Sequence, residues 1–184
     1  EVSAAQMAEM MVGATLTPPA RHARQTGKVA LGVSDLSIPS PNAFGTSLKG
    51  VSFPVAEGEV LGIAGVAGNG QDELFLALSG EVLTDPDRVR LKGHPAGDLG
   101  PEARRAAGLV AAPEERLGHA AAPDMSLVEN ALLSGAVRKR LTRHGFIDWA
   151  RTRAFAAGIV EAFDVRTPGT HVAARALSGG NLQK

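Results

Sequence analysis

The stretch EVLGIAGVAGNGQDEL, residues 59–74, constrains the chain more than any other. Val60–Ala64 reads as a buried strand, glycines 65, 68 and 70 follow at once, and an amphipathic run from Gln71 reads as a helix that stops at Gly80. A strand that turns into a helix through glycines aims successive backbone N–H groups and a helix N-terminus at one point, and such a point attracts phosphate. The phosphate-loop template asks for Gly, four residues, Gly, Lys, then Ser or Thr. Gly65 and Gly70 satisfy it, but Gln71 and Asp72 hold the last two positions. The template's lysine reaches the β and γ phosphates and its hydroxyl holds magnesium. Gln71 brings no positive charge, and Asp72 brings a carboxylate that repels an anion. Gly65, Val66, Ala67, Gly68, Asn69, Gly70, Gln71 and Asp72 therefore predict weak nucleotide binding and little hydrolysis. A tight strand-to-helix turn without a ligand explains the glycines equally well. A dinucleotide fingerprint fits less well, because Glu73 stands where its third glycine is required.

Around this loop the pattern alternates between strands and helices. Val29–Ile38 and Val51–Val55 alternate as half-buried strands, and the turn at Glu57 and Gly58 makes the strands on either side of it neighbours. Val89 and Leu91 mark another strand. Pro101 opens a short helix that Gly108 closes, and Leu109–Ala112 reads as a further buried strand. Ahead of all this, Ser3–Gly13 predicts a capped amphipathic helix and Thr15–Gly27, with two prolines, a linker. From about Leu117 onward the chain turns helical: Ser126 and Glu129 form a capping box, and Asp148 caps a run carrying Trp149, Phe155, Ile159 and Phe163. The expected organisation is 1–27 as a preceding segment and linker, 28–116 as a β-rich core, and 117–184 as a helical subdomain.

Composition removes several functions. Cysteine is absent, which excludes disulfides and thiolate chemistry, and the five histidines lack paired ligand spacing. Nineteen basic residues balance nineteen acidic ones, so any electrostatic steering is local. Glu114 and Glu115 are adjacent and point apart, without a matching acid for glycosidase work. The run Arg138, Lys139, Arg140, Arg143 and His144 could meet nucleic acid or anionic lipid. A solvated surface is the simpler reading, since no aromatic residues interleave with it.

The chain ends in ARALSGGNLQK, where Ser178, Gly179 and Gly180 would begin a helix and offer a hydroxyl and unhindered amides to an anion. Together with the glycine loop, this resembles the signature motif of ATP-binding cassette (ABC) transporter ATPases. LKGVSFPVAEGEVLGIAG is similar to the strand pair that enters the cassette's phosphate loop, and VAAPEERLGHAAAPDMSLVENALL to a segment of the sugar and nucleoside importers. LSGGNLQK is close to the signature variant of that subfamily, and EVSAAQMAEMMVGA is similar to the join between its two cassettes.

The resemblance implies an α/β P-loop NTPase fold, a cassette fragment with an antiparallel β subdomain and a helical subdomain. It implies a second, degenerate cassette that stops after the signature, so that the carboxylates and histidine that normally follow are missing and the piece alone is inactive. It places Glu114 where the family has its Q-loop glutamine, and matches Ser178, Gly179, Gly180 and Asn181 to the signature. Phe44 is the candidate for stacking on adenine. No catalytic residue or metal ligand is assigned. The implied cofactors are ATP and Mg2+, weak or absent at the chain's own loop. The implied partners are the first cassette, met head to tail, and a transmembrane permease, with no nucleic acid expected; Asp124–Asn130 is either part of the permease groove or a capped surface helix. The implied location is the cytoplasmic face of the plasma membrane, reached through the permease. Two other readings stay open: a non-catalytic scaffold that docks to a permease or second cassette, and a soluble cassette ATPase acting on nucleic acid or ribosomes.

Overall fold

The computed structural model describes residues 25–40 and 45–184, together with Met7 and Met10. Those two methionines are helical and exposed; the rest of the expected Ser3–Gly13 helix, most of the linker and Phe44 lie outside the described residues. Strands β1 (Val29–Ile38), β2 (Leu48–Ala56), β3 (Val89–Leu91) and β4 (His94–Pro95) form one antiparallel sheet in the order β2-β1-β3-β4. β1 is its spine, pairing from Val29↔Ala56 to Ile38↔Leu48 on one edge and Leu31↔Leu91 to Val33↔Val89 on the other. The spine is broken at Asp35, whose φ of 46° shifts the register between Val33 and Leu36. Two polar contacts hold the bulge. The Asp35 N–H donates to Ser52 Oγ at 2.7 Å, and its carboxylate takes Arg88 Nη1 at 2.6 Å.

The shift keeps Val33, Leu36 and Ile38 on one face, where they join Leu48 in the main core. Helix α1 (Gln71–Ser79) covers that face with Leu74 and Ala77. It stops where the sequence predicts, at Gly80, whose left-handed φ of 88° carries its N–H to the Leu76 carbonyl. Helix α2 (Pro101–Ala106) is fixed to the end of α1 by Arg104, which is wholly buried. Its guanidinium donates to the carbonyls of Ala77 and Leu78 in α1 and to those of Gly97 and Leu99. A buried cation surrounded by carbonyl oxygens is satisfied without a carboxylate in contact. Burial lowers its pKa and the nearby Asp98 charge works the other way.

Helices α3 (Leu127–Gly135) and α4 (Trp149–Ala162) build a second cluster from Val128, Ala131 and Ala156, with Phe155 and Ile159 at its margin. Both caps form as the sequence predicts. Ser126 and Glu129 close a complete capping box, and the Asp148 carboxylate accepts from the Arg151 N–H at 2.9 Å. Between the helices lies a hairpin, β5 (Thr142–Arg143) and β6 (Phe146–Ile147). Its turn residues His144 and Gly145 have φ of 50° and 82°, the left-handed pair that suits a two-residue hairpin. Buried Leu141 anchors its base, and the Leu141 carbonyl accepts from the Asp148 N–H at 2.8 Å.

Three expectations are corrected. Val60–Ala64 and Leu109–Ala112 are not buried strands: neither pairs in a sheet, and Val60 is 95% and Val110 56% exposed. An apolar strand is buried only by flanking strands and a covering layer, and among the described residues no strand runs beside either segment. For the same reason the turn at Glu57 and Gly58 does not join neighbours; β2 pairs with β1 instead. Finally, Trp149 and Phe163 lie exposed at the two ends of α4, so only Phe155 and Ile159 of that run pack.

Candidate functional site

The glycine loop is set by two close approaches. At Gly70, φ is 103° and an added Cβ would meet Leu48 Cδ2 at 2.9 Å, so the bend into α1 is pressed onto β2 and only glycine fits. Beside it, Thr46 Oγ1 donates to the Gly68 carbonyl at 2.5 Å, a tether that nothing in the sequence announces. Residues 65–69 stand in solvent, and Gly70 alone is buried.

Inside the loop the decisive side chain is Gln71. Its Nε2 donates to the Val66 carbonyl at 3.1 Å, and its Oε1 accepts from the Asn69 N–H at 3.1 Å. The same Asn69 N–H also reaches the Val66 carbonyl at 3.2 Å. The amide thus lies across the loop, so near Gly65 that a Cβ there would sit 2.5 Å from its Nε2. A lysine here would extend toward an anion; the shorter, neutral glutamine turns back and uses an amide that a phosphate would need. Asp72 and Glu73 follow in the first turn of α1, and Gly70 offers no side-chain cap. Gln71 thus occupies two of the loop's own polar groups, and Asp72 places a carboxylate where the template has a hydroxyl.

The second cluster of expected residues lies at the far end. Helix α5 (Gly179–Gln183) begins at Ser178, and Ser178, Gly179 and Gly180 are all exposed. The Ser178 hydroxyl does not cap the helix; it accepts from Asn181 Nδ2 at 2.9 Å, while Asn181 Oδ1 takes the Arg166 N–H at 2.9 Å. Asn181 therefore holds the turn in shape rather than facing outward. The approach to it is also fixed, because residues 172–175 run along the entry to α3, with a bridge between Ser126 and Ala173.

Glu114 is exposed in the segment that follows Pro113. Its neighbours do make connections that sequence reading missed. Arg116 lies over Gly179, where an added Cβ would meet its Nη1 at 2.6 Å. His119 Nε2 stands 2.9 and 3.0 Å from the two Glu81 carboxylate oxygens, and its ring meets Phe75 edge-on at 6.0 Å. Burial raises the Glu81 pKa, but the His119 and Ser79 hydrogen bonds outweigh it and the net value is lowered. Asn130 grips Ala122 from the other side, accepting its N–H at 2.8 Å and donating to its carbonyl at 3.1 Å. A groove of about 340 Å³ opens between these parts, lined by Phe75, Pro101, Arg105, Leu109 and Leu133. No local pattern could have shown the Glu81 pair, whose members are 38 residues apart.

The family described as ABC transporter matches residues 48–184. The chain is 32% identical over 180 residues to the nucleoside import ATP-binding protein NupA of Lactococcus lactis, covering 97% of this chain and 35% of NupA. It is 33% identical over 180 residues to the guanosine import ATP-binding protein NupO of Bacillus subtilis, with coverage of 97% and 35%. It is 36% identical over 136 residues to the ribose import ATP-binding protein RbsA of Pseudomonas putida, with coverage of 74% and 26%. The match thus spans about a third of the length of NupA and NupO and about a quarter of that of RbsA. On the match to 48–184 and on these identities, the chain belongs to the ABC transporter family, with that family's P-loop NTPase fold.

Proposed function

We propose that the chain is part of an ATP-binding subunit of an importer for sugars or nucleosides. Its own glycine loop is a degenerate, weak nucleotide site, and its Ser178–Asn181 turn acts in trans on nucleotide held by the first cassette. The observation that carries this reading is the Gln71 side chain lying across its own loop. Where the family draws phosphate in, this chain spends the loop's donors on itself.

The trans role is supported by the open Ser178–Gly180 face, where a Cβ on Gly180 would meet nothing within 4 Å. The backbone arc 65–70 and the α1 N-terminus would hold the phosphates of ATP, whose negative charge Mg2+, when bound, would neutralise. Gln71 would have to leave first, and Asp72 would favour a metal-bridged anion over a bare one. The groove beside Asp124–Asn130 is where a permease would dock and hold the chain to the cytoplasmic face of the membrane. Among the described residues no helix is long and apolar enough to cross a membrane.

Titration with ATP and magnesium tests the proposal. The native chain should bind weakly, and the double substitution Gln71→Lys with Asp72→Thr should bind about tenfold more tightly or better, because a charge-assisted contact replaces a carboxylate. The self-closed loop also favours a second reading, a scaffold that binds no nucleotide. A flat response from both proteins would establish the scaffold and remove the nucleotide site.

A further inference from the structure

The hairpin between α3 and α4 carries a charge and an exposed apolar group that neither nucleotide site uses. Residues 137–153 hold six arginines and lysines against the single carboxylate of Asp148, in a chain whose formal net charge is +0. Arg138, Lys139, Arg140 and Arg143 are all exposed, and among the described residues no carboxylate forms an ion pair with any of them. Lys139 instead sits 5.4 Å over the Phe155 ring. Beside these cations the fold leaves Phe146 79%, Val137 64% and Trp149 42% exposed. Arg143 pairs with Phe146 across the hairpin, so the two side chains share one face.

We propose that this hairpin is a membrane-contact element that rests on an anionic bilayer surface, with Phe146 and Trp149 in the headgroup layer and the Arg and Lys side chains on lipid phosphates. Basic residues bring such a surface within reach, each contributing near the membrane, while aromatic and aliphatic tips add depth. Nucleic acid fits less well. Its phosphates would satisfy the cations but leave Phe146 and Val137 in water, and a single hairpin offers no row of rings for stacked bases. The inference stands apart from the nucleotide reading, since none of these residues belongs to the glycine loop or the signature turn.

Trp149 is the only tryptophan of the chain and reports directly on its surroundings. With vesicles of phosphatidylglycerol and phosphatidylcholine in equal parts, its emission should shift to the blue and the chain should co-sediment. Pure phosphatidylcholine should do neither, and about 1 M salt, which shortens the screening length to about 3 Å, should release the chain. Arg138→Gln with Arg143→Gln should weaken vesicle binding about thirtyfold. Phe146→Ser, at a site too exposed to unfold the chain, should weaken it about tenfold or more. Equal binding to neutral and anionic vesicles, or no binding to either, overturns the proposal. Binding of a duplex oligonucleotide without any vesicle response, or a self-association that Phe146→Ser abolishes, assigns the hairpin to another partner and overturns it too.

Discussion

Gln71 donates to the carbonyl of Val66 across 3.1 Å and accepts from the Asn69 N–H at the same distance, so its amide spans the glycine loop. Because Gly65 lies under the same amide, the loop can be opened from either side. Gly65→Ala should push Gln71 out, since its new methyl would otherwise stand 2.5 Å from Nε2. Gln71→Ala removes the contact itself. Both bonds are exposed, so each change should cost no more than about 1 kcal/mol in urea denaturation. The double variant should cost clearly less than the sum, because the two share one interaction.

Arg104 is predicted to be the most costly polar residue to remove. Arg104→Ala would leave the carbonyls of Ala77, Leu78, Gly97 and Leu99 without their donor in a buried site and open a cavity beside them. A loss of about 3–5 kcal/mol is expected in chemical denaturation. Arg104→Lys should rescue only part of it, because an ammonium cannot span four carbonyls as a planar fork does.

Gly135 sets how closely α3 meets α4. A Cβ there would stand 2.7 Å from Phe155 Cε1 and 3.3 Å from Leu141 Cδ1, and neither a packed ring nor a fully buried leucine can yield freely. Gly135→Ala should therefore lower stability by about 1–2 kcal/mol despite alanine's better helix propensity, measured as a lower thermal midpoint. Gly158→Ala, where no atom lies within 4 Å, should raise the midpoint instead.

Acid should weaken the fold through two carboxylates. The Glu129 pKa is lowered by the Ser126 hydroxyl and backbone N–H, and that of Glu81 is lowered on balance by His119 and Ser79 against the effect of burial. A folded-state value below the ordinary glutamate value of about 4.3 contributes stability above that pH, and the contribution is lost as pH falls through the folded value. Glu129→Gln and Glu81→Gln should each be less stable than the native chain at neutral pH. Both curves should converge on the native one in strong acid, as followed by thermal unfolding across pH.

What the sequence revealed was local. The capping box at Ser126, the cap at Asp148, the stop at Gly80 and the alternation at Val89 and Leu91 each depend on residues within a turn or two of one another, and each stands in the structure. The family was legible for a similar reason, because short segments carry the resemblance, the glycine loop and LSGGNLQK among them, and the family's match runs over 48–184. What failed required distant information. Val60–Ala64 and Leu109–Ala112 have the composition of inner strands, yet burial depends on neighbours that composition does not contain. Arg104 reads as a surface charge on a short helix until the ends of α1 and the 97–99 turn close around it. Gln71 reads in the sequence as a missing charge, but its bonds to Val66 and Asn69 depend on a side-chain rotamer.

Arg116 and His119 share one short stretch of backbone, yet the first bears on Gly179 and the second on Glu81, just past the end of α1. This stretch therefore joins three parts of the chain that are far apart in sequence: the 178–180 turn through Arg116, the end of α1 through His119, and α3 through Asn130, which holds Ala122.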